Sequence, residues 1–322
     1  MRFPVIRAAR IVLGLALLML CLQPARAETG REVRFGLFLT SLNDVEPGDG
    51  SFGAAGFAWF VDPAGTFDPA TDMELLGRDV SIEPFVQSRQ ADGSLYSVVR
   101  FRATVDHDFD VARYPFDHQR LVLRFEAAET WESLRLVPDR QDSQISADVR
   151  LPGWQLGALT LEATERTYST GFGHRSGAPR FSRVTAAVEI SRTVSPLLFE
   201  KFTGLLVAVV IAALVLLVPV EELGTRIGMT TGAIFAAVVN RYRLEDAIGY
   251  DAAFGTVDQV TLVTFAMILG ILLLSLIAHL RWRRAGDRAG HAAAVRLDRR
   301  VGLGLVGLAA AALTAVFALA LS

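Results

Sequence analysis

"RIGMTTGAIFAAVVN", Arg226–Asn240, decides how often this chain crosses a membrane and therefore which fold it adopts. It is built largely from Gly, Ala, Thr and Val and contains no Leu. Three neighbouring runs are plainly apolar: Leu197–Val220, Val260–Leu280 and Val301–Leu321. Each, as a helix, is long enough for about 30 Å of hydrocarbon. Hydropathy alone passes over Arg226–Asn240.

Charge supplies the missing count. Arg281–Arg300 carries Arg at 281, 283, 284, 288, 296, 299 and 300, against only Asp287 and Asp298. Short loops this basic stay cytoplasmic. The start of the chain predicts export of the domain behind it. Arg2, Arg7 and Arg10 precede an apolar stretch, Ile11–Leu22, and then Ala25-Arg26-Ala27. That pattern is a cleaved secretory signal peptide over 1–27, and its apolar run is short for a span of about 20 residues. With 28–196 outside, three spans would leave the Arg-rich loop outside, whereas a fourth brings it inside. The expectation is helices near 197–220, 223–243, 258–281 and 300–321, with a cytoplasmic loop at 281–300. The N-terminal domain and the C-terminus then both lie outside a cell inner (plasma) membrane.

A spanning helix poor in Leu packs against protein or lines water. Gly228, Gly232, Phe235, Val239 and Tyr242 recur at helical spacing and share one stripe. Around a symmetry axis, Phe235 would form an apolar ring able to close a pore by dewetting. The same stripe also reads as a helix–helix packing seam, and periodicity favours neither.

The exported half has a different texture. The 322-residue chain has a net charge of −2, and four Arg with no acids fall in the signal segment. Residues 28–198 hold 25 acids against 17 Arg, which argues against nucleic acid as a partner. The single cysteine, Cys21, lies in the signal segment, so the exported chain has no disulfide and no thiol chemistry. "EVRFGLFLTSL", "FGAAGFAWFVD", "SLYSVVRFRATV", "RLVLRFEA", "WQLGALTLEAT" and "RVTAAVEISRT" alternate like strands, and "EPGDG", "DPAGT", "QADGS" and "GHRSGAP" read as turns. This predicts an all-β sandwich over 28–196, followed by an all-α four-helix transmembrane domain over 197–322. The last strand runs into Ser195-Pro196 and the first span without a loose stalk, as mechanical coupling needs.

No catalytic set is visible. His107, His118, His174, His279 and His291 are scattered, and HExxH, GxSxG and P-loop patterns are missing, so neither an enzyme nor a cofactor is expected. "DHDFD" places Asp106, Asp108 and Asp110 on one face of an extended strand, either as oxygen ligands for a divalent cation or as a solvated acidic face. Val111 stands where a Ca²⁺ loop needs Gly.

"YPFDHQ", Tyr114–Gln119, resembles the aromatic-Pro-Phe-Asp-x-Gln signature of pentameric ligand-gated ion channels, the Cys-loop receptor superfamily. "FAWFVD" is similar to that family's second strand with its Trp and Asp one residue further apart, "IEPFVQ" to its Pro-bearing strand, "GWQL" at Trp154 to its later Trp, and "EISRT" to the strand whose Arg precedes the first span. "GYDAAFGTVDQVTLVTF" resembles the link between second and third helices in bacterial members, which lack the paired cysteines. The likeness runs from about Glu32 to Ser322.

The resemblance implies a homopentamer of identical subunits in the lipid bilayer, passing monovalent ions and opened by a small molecule or protons. It implies a coupling interface of Glu46, Tyr114, Pro115, Phe116, Asp117 and Arg192. Tyr114-Pro115-Phe116 would wedge onto the linker between the second and third helices, and Asp117 would face Arg192. Gly228, Gly232, Phe235 and Val239 would line the pore with Tyr242 above them. Glu221, Glu222 and Thr225 would sit at the inner mouth, where Thr225 precedes Arg226 and cation channels usually carry Glu; cation preference is a lean. Arg241 and Arg243 at the outer end would repel cations. Ligand would bind between subunits, beneath a hairpin bearing Tyr168, Phe172 and Phe181, each of which reads equally as packing. Gly204 stands where the family usually has Pro. A non-conducting receptor or scaffold on the same fold is the alternative, and a membrane-anchored enzyme a further one.

Overall fold

The computed structural model describes residues 30–173, 177–249 and 253–321, without the side chains of 194–197 and 199. The expected signal peptide with Cys21, the middle of the hairpin loop, and Tyr250-Asp251-Ala252 of the interhelical link lie outside the described residues.

The first half is two sheets packed face to face. The strands are β1 (Arg31–Glu46), β2 (Ser51–Asp62), β3 (Met73–Leu75), β4 (Arg78–Arg89), β5 (Leu95–Asp106), β6 (His118–Thr130), β7 (Leu134–Pro138), β8 (Gln144–Ile145), β9 (Trp154–Thr167) and β10 (Arg180–Arg192). One sheet has the order β4-β5-β2-β1-β7, with β8 also paired to β1; the other is β3-β6-β10-β9. All pairings are antiparallel except β1 with β7 and β8. The two parallel pairings let short return strands cover the β1 edge. Alternation along β2 puts Phe52, Ala54, Ala58 and Phe60 inward. Phe35, Phe60, Phe101 and Phe125 meet from both sheets at centroid distances of 4.8–5.6 Å. Each such side chain contributes roughly 1.5–3 kcal/mol by leaving water. Pro84 is tolerated because β4 is an edge strand, and a bulge follows it.

The expected strands are all present. Short β3, β7 and β8 were not legible, since runs of 2–5 residues show no alternation. "EPGDG" is a 3₁₀ turn at Pro47–Asp49, closed by Gly50 at φ 62°.

Four helices follow: α1 (Val194–Leu214), extended by a 3₁₀ turn at Val215–Leu217, α2 (Leu223–Ile248), α3 (Thr256–Arg284) and α4 (Arg288–Leu321). Thr193 alone separates β10 from α1. Among the described residues, three segments are long and apolar enough to cross a membrane: Glu200–Leu217, Thr256–Arg284 and Arg288–Leu321, with mean hydropathies of 2.2, 2.7 and 2.3. They fit a membrane-embedded protein. The second helix, expected as a fourth span, does not reach that apolarity. Its 26 residues would extend about 39 Å, but Arg226, Asn240, Arg241 and Arg243 lower its hydropathy. The Arg-rich segment expected as a loop over 281–300 is mostly helix, leaving only 285–287 between α3 and α4. Arg is a good helix former, and a run of charges does not by itself break a helix.

Candidate functional site

Four groups of predicted residues find places in this frame. The first lies where sheets meet helices. Arg192, the last residue of β10, donates from Nε to Asp117 Oδ1 at 2.6 Å, and both side chains are buried. Register places Trp154 of β9 directly opposite Arg192, and the guanidinium carbon sits 4.0 Å from the Trp154 ring centre and 4.8 Å from that of Tyr114. The cation is held between two π-faces and a carboxylate. Gln119 completes the cage. Its Nε2 donates to Asp117 Oδ2 and to the Asp110 carbonyl, both at 2.8 Å, while its Oε1 accepts from Asp110 N at 3.2 Å. Burial pushes the Tyr114 phenol up to about 12, with Arg192 acting weakly against it.

Among the described residues, the rings of the Tyr114-Pro115-Phe116 wedge meet α1 and α4; the middle of the interhelical linker, 250–252, lies outside them. Tyr114 packs against Phe202 of α1 at 6.5 Å and Phe116 against Phe317 of α4 at 6.2 Å. Ala112, two residues earlier, makes the linker contact: its carbonyl accepts from Thr256 N at 2.8 Å and Thr256 Oγ1 at 3.1 Å. A Cβ on Gly255 would lie 2.5 Å from that oxygen, so glycine permits the approach. Glu46 is exposed, and the turn after it reaches α2, where a Cβ on Gly48 would meet the Asp246 carbonyl at 2.5 Å.

The second group is the α2 stripe. Arg226, Thr230, Ala233, Ala237, Asn240, Leu244 and Ile248 face the other helices. The opposite face is bare: Gly228 and Gly232 have nothing within 4 Å of a Cβ position, and Phe235, Val239 and Tyr242 are 72%, 46% and 63% exposed. Among the described residues of one chain, nothing packs on the stripe at these glycines. Glu221, Glu222 and Thr225 are exposed at its start, with Thr225 Oγ1 donating to Glu222 Oε2 at 3.3 Å. Arg226, next to Thr225, and Arg241, expected at the outer end, do not project from the stripe. Arg226 is buried on the opposite face, and Arg241 is drawn aside by Glu245 at 2.7 Å and Asp258 at 2.9 Å. Arg243 is exposed.

The third group is aromatic. Tyr168, Phe172 and Phe181 are mutually in contact at 5.4, 5.7 and 6.4 Å, at the end of the four-stranded sheet. Tyr168 OH donates to Glu126 Oε1 at 2.8 Å and accepts from Arg183 at 3.1 Å, while Arg183 Nε also donates to Glu126 Oε2 at 2.8 Å. Desolvation, then the Glu126 hydrogen bond, raises the Tyr168 phenol above its ordinary value. Phe172 is 61% exposed with φ 53°. On the outer face of the other sheet, Arg100 lies over Phe57 and Phe85 at 5.5 and 5.4 Å, beside a groove of about 530 Å³.

The acidic trio does not assemble. Among the described residues no three acidic, His or Cys side chains gather for a metal. β5 ends at Asp106, which pairs with Arg78 at 2.7 Å, and Asp110 accepts from Ala112 N at 3.1 Å in the following turn. Strand alternation stops before it can align the three. His107 between them packs on Phe52 and Phe109, and burial lowers its pKa.

The Phe202 and Phe317 sockets, the Arg226–Asp298 clasp and the Asn240 anchor were not legible because those partners are distant in sequence, and Gln119's role as brace was not because it depends on how the turn between Asp110 and Asp117 folds. No protein-family model and no curated protein matches this chain.

Proposed function

We propose that this protein is a membrane ion channel of the pentameric ligand-gated type. In this reading identical subunits surround an axis, their α2 stripes line a pore, and the sheets receive the stimulus outside the membrane. The carrying observation is the two-faced α2: a helix packed tightly on one side, with Gly228, Gly232, Phe235 and Val239 left bare on the other. A helix too polar for lipid and bare along an apolar-and-glycine stripe is suited to face its own copies around water. The ion pair and wedge beneath the sheets support coupling, since Arg192 belongs to the strand that becomes α1. The aromatic group around Tyr168 would form one wall of a ligand site between copies, and Arg100 with Phe57 the other. Exposed Glu221 and Glu222 favour cations at the inner mouth.

Ion flux through liposomes holding the purified protein, screened across ligands and pH, tests this. Flux that Phe235→Ala turns constitutive is expected. Silence under every condition contradicts conduction, and a stable oligomer of another number on native mass spectrometry contradicts the pentamer. A silent pentamer that still binds ligand would be the scaffold reading.

A further inference from the structure

Arg226 stands beside Thr225 in the first turn of α2, yet it is 1% exposed. Its guanidinium is fully engaged. Nη1 and Nη2 donate to the two carboxylate oxygens of Asp298, on α4, each at 2.7 Å. Nε and Nη2 reach the Val218 carbonyl at 3.1 and 2.6 Å, and Nη1 reaches Ser275 Oγ at 3.4 Å on α3. Asp298 is itself 1% exposed, although neighbouring Arg296, Arg299 and Arg300 point outward. Two buried charges are costly even when paired. Arg226 serves the Val218 carbonyl, but that acceptor does not require a carboxylate on α4. The arrangement of the pair has one electrostatic consequence. From Glu221 just before α2 to Phe235 within it, the exposed residues include Glu221 and Glu222 and no cation.

We propose that Asp298 is a positioning residue for ion selectivity: by holding Arg226 inside the bundle it keeps a ring of guanidinium groups out of the inner mouth. The inference rests on the pore reading of α2. Without its carboxylate, Arg226 would be a buried unpaired cation. Its long side chain would relieve that by swinging to water, one residue from Thr225 and onto the rim that Glu221 and Glu222 now control.

The test is the reversal potential of the full chain in liposomes under a KCl gradient, together with phenylglyoxal labelling of Arg226 read by mass spectrometry. The wild type should prefer potassium and leave Arg226 unlabelled. Asp298→Asn should label at Arg226 and shift the reversal potential towards that of chloride. Arg226→Gln combined with Asp298→Asn should restore the wild-type preference, which loss of a merely structural clasp would not do. Thr225→Arg adds a cation at an exposed position with the clasp intact, so it should shift selectivity the same way even if Asp298→Asn fails to assemble. Labelled Arg226 in the wild type, an unchanged permeability ratio in Asp298→Asn, or no shift in Thr225→Arg each overturns the inference while leaving a conducting pore. A wild type without current overturns the pore reading and this inference with it.

Discussion

At the residue scale, Arg192 and Asp117 form the ion pair beneath the sheets that the proposed coupling would use. Each charge is out of water, so each depends on the other. Removing one partner leaves an uncompensated buried charge, and Asp117→Ala should cost about 3–5 kcal/mol of stability. Chemical denaturation in detergent measures it, and the paired Asp117→Asn, Arg192→Gln variant should recover part of the loss. Tyr114 gives a second handle. Its phenol ordinarily titrates at 10.0 and is raised to about 12 by burial. Between those values the unfolded chain releases a proton that the folded chain keeps, so stability falls as pH rises through that window, by about 3 kcal/mol in full. Tyr114→Phe should abolish the part of the alkaline decline seen in pH-dependent melts that belongs to this group. The motif "YPFDHQ" announced Asp117 and its Arg partner. It could not announce Trp154, which reaches Arg192 only through β9–β10 register, nor the brace made by Gln119.

At the element scale, α2 is two helices in one. Its buried face is fixed by side chains that reach across. Asn240 accepts from Gly204 N at 3.0 Å and donates to the Lys201 carbonyl at 2.9 Å. A Cβ on Gly204 would lie 2.4 Å from Asn240 Oδ1. The glycine found where a proline was expected by resemblance thus lets α1 and α2 close on each other. Gly204→Ala should destabilise by about 1–3 kcal/mol. Gly232→Ala should do the reverse, stabilising by about 0.5–1 kcal/mol, because its Cβ meets open space and Gly is a poor helix former. In the proposed pore it should also lower ion flux, separating the helix-forming effect from the functional one. Thermal melts and flux on the same preparations check both. Spacing made the stripe legible in the sequence. Which face was bare was not legible, since that depends on Arg226, Thr230 and Asn240 choosing the interior despite their polarity.

For the whole molecule, the two halves meet among the described residues at several places: β10 into α1 across Thr193, the Ala112 carbonyl on Thr256, Gly48 against Asp246, and the Tyr114 and Phe116 rings against α1 and α4. Sheet class and the three apolar helices were readable from alternation and hydropathy, because both are local patterns. The acidic trio failed because β5 stops at Asp106. The Phe202 and Phe317 partners of the wedge were not legible because they come from α1 and α4, far along the chain. At the centre of the account stands water along α2 in the assembled protein. The chain's one cysteine is Cys21, so residues 28–322 carry no background thiol. Single cysteines along α2 can therefore be scanned in liposomes with a membrane-impermeant thiol reagent. A pore predicts reaction and altered flux at Gly228, Gly232, Phe235 and Val239, with Ala233 and Ala237 silent; silence along the whole stripe, or reaction without that periodicity, would contradict it.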